Sequence, residues 1–192
     1  MNKLIAIEGV DGAGTTTQCQ RLGAHFDLHV TREPSDLPIG RLIRAILKFE
    51  TEVVDEKAIA LLFAADRLDH VGHEILPELQ RRSVITDRYV MSSIVYQSIA
   101  VERAFVADIN RFARPADLTI LVDVDVDVAE SRRQKRGGPE ERYDRRAVQE
   151  RLAAAYRVEA AHHGAVIVDG NGSADEVFAR LLPLVQSCLG RP

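Results

Sequence analysis

The sequence predicts an α/β protein: a five-stranded parallel sheet with helices on both faces, in three layers. Short β-branched runs alternate with longer helical patterns, a glycine-rich turn follows the first run, and no Gly/Ser- or Pro-rich linker divides the 192 residues. Together these observations call for one sheet and one core, and so for a single domain over residues 1–192.

The runs "KLIAIE", "LHVTRE", "SVITD", "LTILVDV" and "AVIVDG" are the five strands. They read as nearly continuous apolar runs because a parallel strand is covered on both faces. A helix begins near Thr15 or Thr16, a long one covers Asp55 to Arg82 with an interruption near Pro77, and another follows Asp87-Arg88-Tyr89. The long helix has more apolar positions than one core face uses, as would suit a packed dimer. Residues 132–146, "RRQKRGGPEERYDRR", break the pattern with Gly137, Gly138 and Pro139 and concentrate basic charge, so they read as a flexible basic lid. Glu140 and Glu141 could pair some of the lid's own arginines.

A hydrophobic fraction of 46% is enough to fill a core. The formal net charge of -4 argues against a general nucleic-acid binder, whose affinity comes from Lys and Arg neutralising phosphates. Cys19 and Cys188 are far apart and imply neither a disulfide framework nor a CxxC metal site. His70 and His73 share a helix, and His162 and His163 are adjacent, but no third ligand accompanies either pair, so ordinary surface or helix-end histidines are expected. Burial behind the glycine loop is expected for Cys19. The opening apolar run is short for a signal segment and no stretch reaches membrane-spanning length, so a soluble cytoplasmic protein with small-molecule partners is expected.

The glycine turn is "GVDGAGTT". Gly9 and Gly14 stand at the spacing of G-x-x-x-x-G-K-[ST], between a strand and a helix, as a phosphate-cradling P-loop requires. Glycines permit positive φ and close approach, so backbone N–H groups of Gly9, Val10, Asp11, Gly12, Ala13, Gly14, Thr15, Thr16 and Thr17 are the candidate cradle for phosphate oxygens. Thr16 holds the position whose hydroxyl ligates Mg²⁺. Thr15 stands where lysine would bridge the β- and γ-phosphates, and a hydroxyl brings no charge there. A glycine turn that only caps a helix would share this loop's spacing.

A second signal lies in "SVITDRYVMSSIVYQ", where a buried strand ends in Asp87-Arg88-Tyr89. Ligands gather at the carboxyl ends of strands in open parallel sheets. There Asp87 can hold Mg²⁺ directly or through water, and Arg88 can bridge donor and acceptor phosphates. A surface Asp-Arg pair closing a turn is the plain alternative.

With "TREP" at 31–34, "LLFAADR" at 61–67, "DRYVMSSIVYQ" at 87–97 and "RYD" at 142–144 added to the loop, the chain resembles the thymidylate kinases over nearly its whole length. The resemblance implies transfer of the γ-phosphoryl group of ATP to dTMP, giving dTDP and ADP, with ATP and Mg²⁺ bound, in a cytoplasmic homodimer that contacts neither nucleic acid nor membrane. Phe63 and Arg67 share a helix face, so one can stack on a planar ring while the other bonds its edge; by resemblance the ring is thymine. Ser93, Tyr96 and Gln97 also share a face; the resemblance puts Ser93 and Gln97 at the base and Tyr96 under the sugar, where it would exclude a 2'-hydroxyl. It puts Glu33 near the sugar and Arg44 near the acceptor phosphate, although "SDLPIG" replaces the Gly-Gly-Thr turn common after "TREP" in bacterial members.

The acceptor oxygen is already anionic, so the reaction needs positioning and charge neutralisation rather than a general base. Val10, Asp11, Gly12 and Ala13 include no basic residue, so the chain resembles the form of the family that carries the compensating arginine on its lid. The candidates are Arg132, Arg133, Lys135, Arg136 and Arg142, beside Arg88 and Arg44, with Asp11 given a magnesium-water or acceptor-side role by resemblance. Two other readings stay open at this stage. A deoxyribonucleoside kinase would by resemblance show Glu-Arg-Ser in place of "DRY", and a catalytically silent nucleotide binder would follow if the missing lysine had abolished transfer.

Overall fold

The computed structural model describes residues 1–53, 55–137 and 142–191. All five expected strands form: β1 (Leu4–Glu8), β2 (His29–Arg32), β3 (Val84–Asp87), β4 (Leu118–Asp123) and β5 (Val166–Asp169). They make one parallel sheet in the order β2-β3-β1-β4-β5. Every residue of β1 and β3 is buried because both strands lie inside the sheet with helices over each face. The strand at each edge, β2 and β5, leaves side chains exposed.

The intervening helices are α1 (Thr15–Phe26), α2 (Pro38–Leu47), α3 (Glu56–His70), α4 (Leu76–Leu79), α5 (Val90–Gln97), α6 (Arg103–Ile109), α7 (Val126–Arg136), α8 (Arg146–His163) and α9 (Ala174–Cys188). The chain leaves β1 toward β2 on one side, whereas β4 lies on the other, which opens a crevice at the carboxyl ends of β1 and β3. Ile7 pairs with Asp87, and Asp87 with Arg32, so the segments after three strands emerge side by side. Gly9, Arg88 and Glu33 are thereby neighbours at one edge of the sheet.

Two expectations about elements need correction. The helix expected over Asp55 to Arg82 is α3, capped by the Asp55 carboxylate, followed by a π-helical turn at Val71–Ile75 and then α4; residues 80–82 form a turn. The interruption therefore falls before Pro77. Proline has no N–H to give to the carbonyl four residues back and its ring crowds that carbonyl, and the widened turn just upstream accommodates both. The expected lid is partly regular: Arg132–Arg136 are the last turn of α7, which stops at Gly137 with φ of 69°. The expectations for Gly138, Pro139, Glu140 and Glu141 lie outside the described residues.

Candidate active site

The glycine loop joins β1 to α1 in a tight turn, with Ala13 N donating to Val10 O at 3.0 Å. Gly12 and Gly14 have φ of 87° and 93°, and a Cβ on Gly12 would lie 2.3 Å from the carbonyl oxygen of Ala129. Both features demand glycine. Gly14 is the N-cap of α1 and no side chain caps the helix, so its first amides have no side-chain acceptor and the positive end of the helix faces the loop. Thr15 is buried with its methyl packed toward Gly9, whereas Thr16 is exposed.

The Thr16 hydroxyl donates to Oδ2 of Asp87. The other carboxylate oxygen, Oδ1, is buried and has no hydrogen-bond partner. An anionic oxygen left unpartnered beside a hydroxyl fits a hard divalent cation that brings its own water and phosphate oxygens.

Arg88 has a left-handed backbone, φ 70°, a conformation that costs a non-glycine residue about 1 kcal/mol and recurs at functional sites. It is held there by its N–H on Ile7 O at 2.9 Å. The guanidinium donates to Gly9 O at 2.8 Å and to the Tyr156 hydroxyl at 3.1 Å, and lies 5.1 Å over the Tyr96 ring. Burial works against its charge, but Tyr96, Tyr156, Asp87 and Asp11 outweigh that and keep it cationic. Beneath it Glu8 is wholly buried and accepts from Tyr89 N at 2.9 Å and from the Ser92 hydroxyl. Burial pushes the Glu8 carboxyl above its ordinary range, against the pull of Ser92 and Arg88.

At the other end of the crevice Arg67 is only 1% exposed. Its Nε donates to Glu33 at 2.8 Å, and its two Nη atoms donate to Asn110, to Tyr89 O at 3.0 Å and to the Ser93 hydroxyl at 2.9 Å. Most of its N–H groups are committed to the protein, so it orders the pocket floor as well as facing it. The segment after Glu33 is held by side-chain bonds: Ser35 gives its N–H to Asp66 at 2.8 Å and its hydroxyl to the same carboxylate. Arg44 is turned onto this segment, donating to Pro34 O, Ser35 O and Asp36. Neither amide atom of Gln97 makes a well-formed hydrogen bond, although both are buried.

These groups line one cleft of about 230 Å³, which brings together Asp11, Glu33, Arg44, Phe63, Arg67, Arg88, Ser93, Tyr96 and Gln97, with Tyr143 beside them. The basic residues of the expected lid take separate positions. Arg136 grips the Asp11 carboxylate at 3.1 and 2.7 Å, and Arg133 donates to Asp11 O at 2.7 Å. Burial would raise the Asp11 carboxyl, but Arg136, Arg88 and Arg133 bring it below its ordinary value. Arg132 ties Ala13 O, at 3.1 Å, to Gly170 O and Gly172 O at 3.1 and 2.8 Å. Lys135 is exposed at the end of α7.

The family model for thymidylate kinase matches residues 7–181. The chain belongs to the thymidylate kinase family. It is 40% identical over 185 residues to a probable thymidylate kinase of Pyrobaculum aerophilum, covering 95% of each chain. A probable thymidylate kinase of Methanocaldococcus jannaschii is 47% identical over 129 residues, 67% of this chain and 68% of that one. The solved structure of a thymidylate kinase from Candida albicans is similar in fold, with a TM-score of 0.81 over 97% of this chain and 92% of that one at 24% identity.

Three sequence-based expectations meet a different arrangement in the structure. Arg142 lies outside the cleft, paired with Glu56 and lining a neighbouring groove beyond Tyr143. The Phe63–Arg67 pair inverts the ordinary pattern of a core Phe with a surface Arg, since Arg67 is the buried member and Phe63 only half-buried. His70, expected at a surface or helix end, does end α3 but is fully buried. Cys19 is buried as expected, and burial pushes its thiol well up. Sequence reading missed Glu8, Ser92, Asn110 and Tyr156. Of these only Glu8 left a trace, as an acid at the end of the otherwise apolar run "LIAIE". Among the described residues no group of three His, Cys, Asp or Glu is placed to hold a metal, and no helix is long and apolar enough to cross a membrane.

Proposed function

We propose that this thymidylate kinase transfers the γ-phosphoryl group of ATP to dTMP, with Arg88 at the point of transfer and arginines of α7 standing in for the P-loop lysine. The observation that carries this reading is the single cleft running from Asp11 at the loop, past Arg88, to Gln97, Ser93 and Phe63. A nucleoside monophosphate laid along it would set its base among Phe63, Arg67, Ser93 and Gln97 and its phosphate near Arg88 and Arg44. The two amide atoms of Gln97, neither in a well-formed hydrogen bond, suit the donor and acceptor edge of a pyrimidine base. Tyr96 walls the sugar region, its ring edge-on to Tyr143 with centroids 5.1 Å apart, a rigid surface suited to refusing a 2'-hydroxyl.

The donor phosphates belong on the amides of Gly9 to Thr17 at the open end of α1. Asp87 and Thr16 are the residues that would hold Mg²⁺, which when bound neutralises charge on the donor phosphates. Because the acceptor oxygen is already anionic, this chain's own groups have only to align and neutralise. Arg88 does so from within the cleft. Arg136 and Arg133, already on Asp11, are the lid-side cations at the loop's acid, and Arg132 bonds the loop carbonyl of Ala13.

One kinase domain over residues 1–192, cytoplasmic and homodimeric, completes the proposal. Leu61, Leu68 and Leu76, each 44–49% exposed along α3 and its continuation, form an apolar stripe suited to a second copy. The test is Mg-ATP turnover, followed as ADP release, with dTMP, dUMP, dGMP, dCMP, AMP and thymidine as separate acceptors. Turnover with dTMP, alone or with weaker dUMP, is expected. Turnover with thymidine alone would make it a nucleoside kinase, and binding without any turnover would make it a silent binder whose chemistry Thr15 had ended.

A further inference from the structure

His70 is fully buried, yet nothing in the proposed transfer uses it. Each of its ring nitrogens faces a carboxylate. Nδ1 lies 3.3 Å from Oε1 of Glu33, and Nε2 lies 3.4 Å from Oε2 of Glu74 and 2.8 Å from the Thr31 hydroxyl. Beyond Glu74 stands His29, with Nε2 at 2.8 Å, and His29 also faces Glu78 at 3.7 Å. Beyond Glu33 stands Arg67, donating at 2.8 Å into the floor of the cleft. A chain of charges thus runs from the half-exposed Glu74 through His70 and Glu33 to Arg67.

A neutral imidazole carries one N–H. On Nδ1, it would leave the Nε2 lone pair to accept from the Thr31 hydroxyl and give Glu74 no donor from His70; on Nε2, it would leave an Nδ1 lone pair facing Glu33. Only the imidazolium donates to both carboxylates, and it makes the charges alternate along the chain, the condition under which buried ions are tolerated. Burial alone would lower the pKa of His70, but hydrogen bonds and charge from Glu33 and Glu74 raise it to about 9. Glu74 is in turn carried down to about 2, by His70 first, against burial, and then by Thr31 and His29.

We propose that His70 is a positioning residue for the acceptor nucleotide: as an imidazolium it fixes the Glu33 carboxylate against Arg67, and so fixes the floor on which the nucleoside end of the acceptor rests. This rests on the reading of the cleft as the dTMP site. The groups facing His70 are Glu33 from the end of β2, Glu74 from the π turn and the neutral Thr31, with His29, Glu78 and Arg67 one step removed. Among the described residues none of these side chains makes a hydrogen bond or ion pair with Asp87 or Arg88, so loss of the proton should weaken acceptor binding and spare the chemical step.

The experiment measures kcat and KM for dTMP between pH 6.5 and 10 in the wild type, Glu74→Gln, His70→Asn and His70→Gln. In the wild type KM should rise roughly tenfold, the scale of one charge-assisted hydrogen bond, as pH passes about 9, while kcat holds. Glu74→Gln leaves the cleft lining intact but removes one of the two carboxylates favouring the proton, so it should move that rise to lower pH by roughly one unit. Thymine itself ionises in alkali, so the offset between these two proteins on one substrate is the decisive quantity. His70→Asn places an amide nitrogen near the Nδ1 position and should keep a low, pH-independent KM; His70→Gln reaches toward Glu74 instead and should have a high KM throughout. Should the His70 variants fold poorly, the imidazole resonance of His70 read by NMR gives the same answer, with a midpoint near 9 that falls in Glu74→Gln. Superimposed wild-type and Glu74→Gln curves, or an unshifted resonance, would overturn the proposal while dTMP turnover left the kinase reading intact. Absence of dTMP turnover would overturn both.

Discussion

Arg136 and Asp11, separated by 125 residues in sequence, meet through two hydrogen bonds of 3.1 and 2.7 Å at the mouth of the glycine loop. The guanidinium stands at a loop that carries a threonine in place of its lysine. An acid within a phosphate-binding loop would repel its ligand, and Arg136 neutralises that acid. Under the proposed reading, phosphates bound in the loop would share this cation with Asp11.

Arg136→Ala should therefore lower kcat by about 10²–10³, the scale for loss of one cation from phosphoryl transfer. KM for dTMP should change little, because the base end of the cleft is untouched. Steady-state kinetics with saturating Mg-ATP check this, and an unchanged kcat would remove Arg136 from the mechanism.

Arg132 acts differently. It ties the loop carbonyl of Ala13 to those of Gly170 and Gly172, so its truncation should loosen the cradle. Arg132→Ala is expected to cost about 1–3 kcal/mol of stability and to raise KM for ATP more than KM for dTMP. Denaturant melts beside two-substrate kinetics distinguish it from Arg136→Ala, which should cost less stability because the Arg136 guanidinium is itself mostly exposed.

Gln97 carries two buried amide atoms without well-formed hydrogen bonds. Such groups cost the free protein stability, and under the proposed reading this one is retained for the base of the acceptor. Gln97→Leu should be as stable as the wild type or more so, by up to about 1 kcal/mol, while KM for dTMP rises about tenfold. A variant both less stable and unimpaired toward dTMP would contradict the role proposed for this side chain.

The His70 network also makes a stability prediction. Folding raises the pKa of His70 from 6.5 to about 9. A raised pKa means the folded state binds the proton more tightly, so this contribution is complete below pH 6.5 and is lost as pH rises through about 9. Its size is on the order of 3 kcal/mol. Chemical denaturation at pH 6.5 and 9.5 should show that loss in the wild type and not in His70→Gln; equal losses in both would place the titration elsewhere.

The five strands and the glycine loop were legible because their signals are local. A parallel strand buried on both faces must be apolar throughout, and a loop that turns with positive φ and approaches a neighbouring carbonyl at Gly12 must spend glycines at fixed spacing. The groups lining the cleft were legible for a related reason: Phe63 and Arg67, or Ser93 and Gln97, lie one helical turn apart, so spacing alone puts each pair on one face.

What the sequence by itself determined was the sheet, the loop and the side chains offered to the crevice. Only the tertiary structure decided which charges meet. Arg136 on Asp11, Arg142 on Glu56 and His70 between Glu33 and Glu74 join residues 125, 86 and 37 positions apart at the widest, and no local pattern encodes such pairings. The physical reason is that ionic partners are chosen by where strand register and helix packing bring chain segments together. A lone arginine or histidine in a sequence is compatible with many partners; burial beside a particular carboxylate selects one and, in His70, selects the protonation state as well.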